Sequence, residues 1–169
     1  VGAPLTDDGG ENRGAVWVLL LNSDGTVLSA NKISSTTFAP ISPVNYDADA
    51  FGTSVALLPG VTENGIRKIA IGARNAIESD RREGAGWILW VNPTGLPLAA
   101  GRITDTAGDF DPWLEGSDQF GSSVAWIGDF NGNGIGTLAV GAVGTESMWM
   151  LDFSAVMDLG DAPDVAPGR

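Results

Sequence analysis

The sequence predicts an all-β chain made of repeated antiparallel sheets, and three observations carry that expectation. Residues 51–73, FGTSVALLPGVTENGIRKIAIGA, align without a gap with residues 120–142, FGSSVAWIGDFNGNGIGTLAVGA; 11 of the 23 positions are identical, at an offset of 69. Residues 14–34, GAVWVLLLNSDGTVLSANKIS, align with residues 84–104, GAGWILWVNPTGLPLAAGRIT, with 9 of 21 positions identical at an offset of 70. Internal repetition at one spacing constrains architecture more than any single residue does. The apolar runs inside these segments are short and bounded by Gly, Pro, Asn and Asp, the pattern of strands joined by tight turns. The chain's 24 Gly and 9 Pro suit many such turns.

Composition narrows the function. The 169 residues, 43% of them hydrophobic, are enough to bury a sizeable core. A net charge of -12 argues against nucleic acid or anionic lipid as partner and favours divalent cations. No apolar run approaches the roughly 18 residues of a membrane helix, so no membrane span is expected. The chain has no cysteine, which removes disulfides, zinc-thiolate sites and thiol catalysis and leaves the compartment open. It has no histidine either, which excludes Ser-His-Asp and Cys-His chemistry. The carboxylates fall mostly in loops without a fixed partner, so the chain is read as not an enzyme. It opens on Val1 inside a repeat, with no initiator Met or signal peptide, and is expected to be a fragment or a processed segment.

The first unit, residues 1–34, is read as a partial blade. VGAP is the end of a strand equivalent to IGAR at 71 and VGAV at 140; Ala15 to Leu21 is a strand with almost no polar residue. Asn22-Ser23-Asp24-Gly25 has hairpin-turn chemistry, and Thr26 to Ile33 returns as a strand. Residues 34–50, with SSTTFAPISP, read as a loop, which outside a cell is a candidate for O-linked sugars.

The second unit, residues 51–104, is complete, with strands at about Thr53 to Leu58, Lys68 to Ile71, Gly86 to Val91 and Leu98 to Ile103. Four short strands per repeat, with hairpin connections and a long link onward, is the pattern of a propeller blade. VWVLLL and WILWV are apolar on both faces, which predicts that both strands are covered on both sides. The link carries Asp105, Asp109, Asp111, Glu115 and Asp118 around Pro112-Trp113. It reads either as an acidic binding loop with an exposed Trp or as a solvated connector with Trp113 tucked against a blade.

The third unit, residues 120–153, is a shortened blade: strands at Ser123 to Ile127 and Leu138 to Val140, then MWMLDF, with no evident fourth strand. Its first connection, DFNGNG, places oxygen-bearing side chains at alternate positions, Asp129, Asn131 and Asn133, followed by Gly134. A loop curling around a hard cation presents every second side chain to its inside. The twelfth position is Val140, and strands flank the loop, so an EF-hand is excluded. Two readings stay open: a calcium loop in a β-hairpin, or a hairpin turn using Asn133-Gly134 for its positive φ angles.

The ordered recurrence of FGxS, a Dx[DN]x[DN]G loop, an apolar strand ending in VGA, and GAVWVL resembles the FG-GAP repeat of integrin α-subunit β-propellers and related bacterial surface proteins. The resemblance covers most of residues 1–153 and implies about two and a half blades of four antiparallel strands, an incomplete propeller. It also implies one calcium site formed by Asp129, Asn131, Asn133, the carbonyl of Ile135, and Thr137, where the family usually has Asp. With few charges such a site is weak, on the order of 10⁻⁴ to 10⁻³ M. The second unit's equivalents, Gly60, Thr62, Asn64 and Lys68, imply no cation. Residues 154–169, with DLGDAPD, resemble the opening of a module found in large bacterial secreted proteins.

The function these readings imply is a non-catalytic structural or adhesion module, extracellular or at the cell surface. Its partners are protein: the rest of a longer parent chain, or copies of itself in a homo-oligomer, ring or filament. An accessory propeller of a secreted hydrolase is the weaker alternative. The open ends are expected to expose Trp17, Leu19, Trp149 and Leu151.

Overall fold

A computed structural model describes residues 1–44, 46–78, 80–107 and 114–153. Its described residues are all-β: four antiparallel sheets, none of them closed, and no α-helix. Sheet one contains β1 (Gly2–Ala3), β2 (Ala15–Leu21) and β3 (Val27–Ile33), in that order. Sheet two contains β4 (Phe51–Leu57), β5 (Arg67–Ala73), β8 (Ala85–Val91) and β9 (Pro97–Ile103). Between β5 and β8 a small ribbon pairs β6 (Ile77–Glu78) with β7 (Arg81–Arg82). Sheet three contains β10 (Phe120–Gly128), β11 (Gly136–Ala142) and β12 (Ser147–Phe153). MWMLDF is thus a strand, as expected from the repeat. Residues 34–50 carry a 3-10 turn at Ala39–Val44.

The two outer hairpins close identically. Gly25 donates to the Asn22 carbonyl at 3.0 Å and Gly95 to that of Asn92 at 2.9 Å. Both glycines have positive φ, 86° and 81°, a region a side chain would resist. β4 and β10 both begin with a register shift, between Phe51 and Ser54 and between Phe120 and Ser123. The repeat therefore preserves this first bulge, while β10 alone has a second, between Trp126 and Gly128.

The sheets stack in series, and each presents the same two faces. Trp17, Trp87 and Trp149 occupy one ladder position, since each strand's neighbour pairs Val16 with Gly2, Gly86 with Gly72 and Met148 with Gly141. They mark a back face. The adjacent positions, Val18, Ile88 and Met150, mark a forward face. Sheet one's forward face (Val16, Val18, Ile33) packs on sheet two's back face (Ile71, Trp87, Leu89, Val91). Sheet two's forward face (Ala70, Ile88, Trp90) packs on sheet three's back face (Leu138, Val140, Trp149, Leu151). Phe51 meets Trp87 edge to face at 6.0 Å in the first of these cores.

This arrangement corrects two expectations. β8 is covered on both sides because sheet two lies between two others, but β2 is not: Trp17 is 36% and Leu21 58% exposed. Sequence pattern states that a strand is apolar on both faces; only the neighbouring sheets decide whether both are covered. At the other end Trp149 and Leu151 are not the free face. They point back into the second core, and Met148 (59% exposed) and Met150 line the open side.

The loops are more engaged than their composition suggested. Ser34 and Ser35 are buried, and their hydroxyls donate to the Asp8 carboxylate at 2.6 Å and the Asp8 carbonyl at 3.0 Å. They are therefore unavailable to sugars. Lys32 sits 2.7 Å from Asp8, and these bonds hold the Asp8 carboxyl down at about 2. In the link, Asp118 is buried and accepts the Glu115 N–H at 2.8 Å, while Leu114 is buried in the second core. Asp109, Asp111, Pro112 and Trp113 lie outside the described residues, as do residues 154–169.

Candidate functional site

The predicted loop joins β10 to β11, and it is closed by side chains. Asp129 spans it: one carboxylate oxygen accepts the Asn133 N–H and the other the Gly134 N–H, both at 2.9 Å. Asn131 Oδ1 accepts the Asn133 N–H at 3.1 Å, and Asn133 Oδ1 the Ile135 N–H at 2.7 Å. Ser, Asn and Asp side chains form such local bonds readily, which is why they favour turns. The structure brings Asp129, Asn131, Asn133 and Ile135 together in one loop, with Thr137 the second residue of the strand that follows.

A residue that the sequence reading missed completes the cluster. Thr137 pairs in register with Asp152 on β12. The Thr137 hydroxyl donates to Asp152 Oδ1 at 2.6 Å, and the amides of Asn131 and Asn133 donate to Asp152 Oδ2 at 3.1 and 3.2 Å. These bonds, the Thr137 one foremost, hold the Asp152 carboxyl below its ordinary value. The signal for Asp152 was a register, not a motif. Once Ala142 and Ser147 form the β11–β12 turn, antiparallel pairing carries Asp152 opposite Thr137.

The cluster's oxygens suit a hard cation in kind: two carboxylates, two side-chain amides and the Ile135 carbonyl. In this arrangement the amide oxygens face the loop's own N–H groups and the amide nitrogens face Asp152. Holding a cation beside Asp152 would need both amides turned, a rotation that exchanges O and N. Among the described residues, no group of three or more His, Cys, Asp or Glu residues gathers in metal-binding geometry.

A second polar cluster lies where sheet two meets sheet three. Glu83 is fully buried, 2.6 Å from the Arg81 guanidinium, which also approaches Asp105 at 3.5 Å. Burial and the neighbouring Asp105 charge push the Glu83 carboxyl up to about 7, against the pull of Arg81. On the face of sheet two turned toward sheet one, Arg102 ion-pairs with Glu78 and lies 5.7 Å from the Trp87 ring. The Glu83 carbonyl accepts the Phe120 N–H at 2.8 Å, so the cluster sits on the junction itself. With Glu83 sealed from solvent and salt-bridged, the arrangement positions backbone and offers a substrate no access.

Among the described residues, the surface grooves include one of about 230 Å³ lined by Trp17, Leu19, Val55 and Leu57, with no ionisable side chain. Another, of about 550 Å³, lies along sheet three beside Arg74 and includes Ser122, Ser123, Gly141 and Glu146. No protein-family model matches the chain, and a search of curated proteins returns no match.

Proposed function

We propose that the chain is a non-catalytic structural and adhesion module of the extracellular surface, its sheets acting as FG-GAP-like propeller blades. One observation carries this reading: a forward face meets a back face twice, with Trp87 and Trp149 at the same position in each contact. Serial stacking of this kind is how blades and other repeats bury a continuous core. The loop at Asp129, with Asn131, Asn133, Ile135 and Asp152, serves as a single weak calcium site, of the affinity extracellular modules use. When bound, the ion would bridge β12 to the β10–β11 loop.

The test is thermal melting in millimolar calcium against chelator. The wild-type chain melts higher in calcium, and the Asp129→Ala chain shows no gain. A melting curve indifferent to calcium removes the ion from the reading.

Self-association is a second reading, favoured by the two uncovered apolar faces, Trp17 with Leu21 on one side and Met148 with Met150 on the other. A forward face meeting the back face of another copy is a heterologous contact, which gives a ring or a filament. Light scattering at micromolar concentration decides it: a stable monomer would sink this form.

A further inference from the structure

The junctions inside the molecule share a contact built on paired glycines. Gly72 on β5 lies so close to the Gly121 carbonyl that a Cβ there would collide with that oxygen. Ser54, across the ladder from Gly72, donates its hydroxyl to the same carbonyl at 2.9 Å. Gly2 on β1 meets the Gly52 carbonyl in the same way. Gly52 and Gly121 follow the buried Phe51 and Phe120 and have positive φ, 90° and 85°. Each junction is thus made by a Phe-Gly strand start pressed onto a glycine of the sheet before it.

Sheet three keeps the receiving half of this contact. Gly141 faces Ser123 across the ladder as Gly72 faces Ser54. The atoms nearest the place of its absent Cβ are the hydroxyls of Ser123 and Ser122, with no carbonyl of another sheet among them. The groove of about 550 Å³ opens at this point, with Met148 on its rim.

We propose that this groove is a docking site for a β-strand opening Phe-Gly-x-Ser, presented by a further sheet of the kind that sheets two and three exemplify. The inference deepens the structural-module reading by naming the face and the partner. The incoming glycine sets its carbonyl on Gly141 and receives the Ser123 hydroxyl, while Met148 and Met150, unbranched and adaptable, conform to the apolar face behind it. A second copy fits less well. The Phe-Gly strand starts it could present, at Phe51 and Phe120, are already buried in its own junctions.

One residue sets the strength of the site. Gly14 and Gly84 form parallel bridges to Phe51 and Phe120, and a Cβ on either would collide with the phenylalanine backbone. The corresponding place in sheet three is Glu146, since Ala142 pairs with Ser147 as Ala73 pairs with Ala85. The docked strand therefore lacks that bridge, and binding is weaker than at the internal junctions.

The experiment titrates the full chain with a synthetic peptide of residues 118–127, DQFGSSVAWI. Saturable binding is expected, weakened about tenfold or more by Gly141→Val in the protein or by Val for Gly in the peptide's Phe-Gly, and strengthened by Glu146→Gly. Met150→Asp, an exposed change on the same face, also weakens it and serves if Gly141→Val does not fold. No saturable binding up to about 1 mM, or binding indifferent to these substitutions, overturns the proposal. So does self-association that Met150→Asp blocks and the peptide fails to compete with, which would assign the face to a second copy. None of these failures touches the calcium-melting test, so the two readings fall separately.

Discussion

The loops at residues 58–66 and 129–135 occupy the same place in two repeats and are closed by different atoms. In the first, the main chain does the work: Thr62 N–H bonds the Ile66 carbonyl at 3.1 Å and Gly65 N–H the Thr62 carbonyl at 2.8 Å. In the second, backbone N–H groups of the loop donate to the side chains of Asp129, Asn131 and Asn133. The neighbouring ladder position differs too. Thr137 faces Asp152, whereas Lys68 faces Trp90, its ammonium 5.8 Å from the ring. One loop is a self-sufficient hairpin with a fixed cation beside it. The other holds its shape through the oxygens a bound cation would use, with a carboxylate beside it.

That contrast breaks most visibly at Asp129. Asp129→Ala removes the acceptor of the Gly134 N–H and leaves the Asn133 N–H only the Asn131 amide oxygen, with no main-chain bond in the loop to fall back on. A loss of about 1–2 kcal/mol in urea unfolding is expected, as hydrogen bonds to charged groups contribute. Thr62→Val, which removes only the side-chain acceptor of the Ile66 N–H at 3.0 Å, costs about 0.5–1 kcal/mol. Equal losses would mean that the two loops are held alike.

Asp152 sharpens the comparison through charge. Asp152→Asn is expected to weaken calcium binding at least about tenfold in calorimetry, the lower end of what supporting groups contribute at metal sites. The same residue predicts a pH dependence. Its folded value is depressed below 3.8, so its stabilising bonds count fully above 3.8 and are lost as pH falls through the depressed value. Acid melts of the wild-type chain should therefore fall more steeply in that window than those of Asp152→Asn. Parallel curves would remove Asp152 from the account.

How much of this was legible depended on whether the signal was local. The hairpins at Asn22–Gly25 and Asn92–Gly95, the strand at Ala15–Leu21 and the loop at Asp129 each rest on residues adjacent in sequence, and the repeat doubled the signal. Asp152 was not legible as a site residue because it reaches the loop only through the β11–β12 register, and it stands in a strand that otherwise reads as apolar. The exposure of Trp17 was expected from the open end, but the inward turn of Trp149 was missed for a related reason. Both tryptophans sit at the same repeat position, and which is covered depends on the sheet behind it, a tertiary fact that periodicity does not encode. Glu83 carried no signal at all: it is the residue before the repeated Gly-Ala step, where the first repeat has Arg13, paired at 2.8 Å with Asp47.

The smallest expected effect lies at Lys68. Its ammonium lies over Trp90, which occupies the ladder position that Asp152 fills in sheet three, so the second repeat has an aromatic ring under a cation where the third has a carboxylate. Partly exposed cation–aromatic contacts contribute about 0.5–1 kcal/mol, and Lys68→Ala should cost no more than that. The informative change is Lys68→Thr combined with Trp90→Asp, which recreates the Thr137–Asp152 pair beside the main-chain hairpin. If the side-chain-closed loop is what admits a cation, this double variant gains no calcium affinity, because Gly60, Thr62 and Asn64, at the places of Asp129, Asn131 and Asn133, supply no carboxylate to face the new one. Calcium binding appearing in calorimetry with the ladder pair alone would show that the strand pair, and not the Asp129 loop, sets the site.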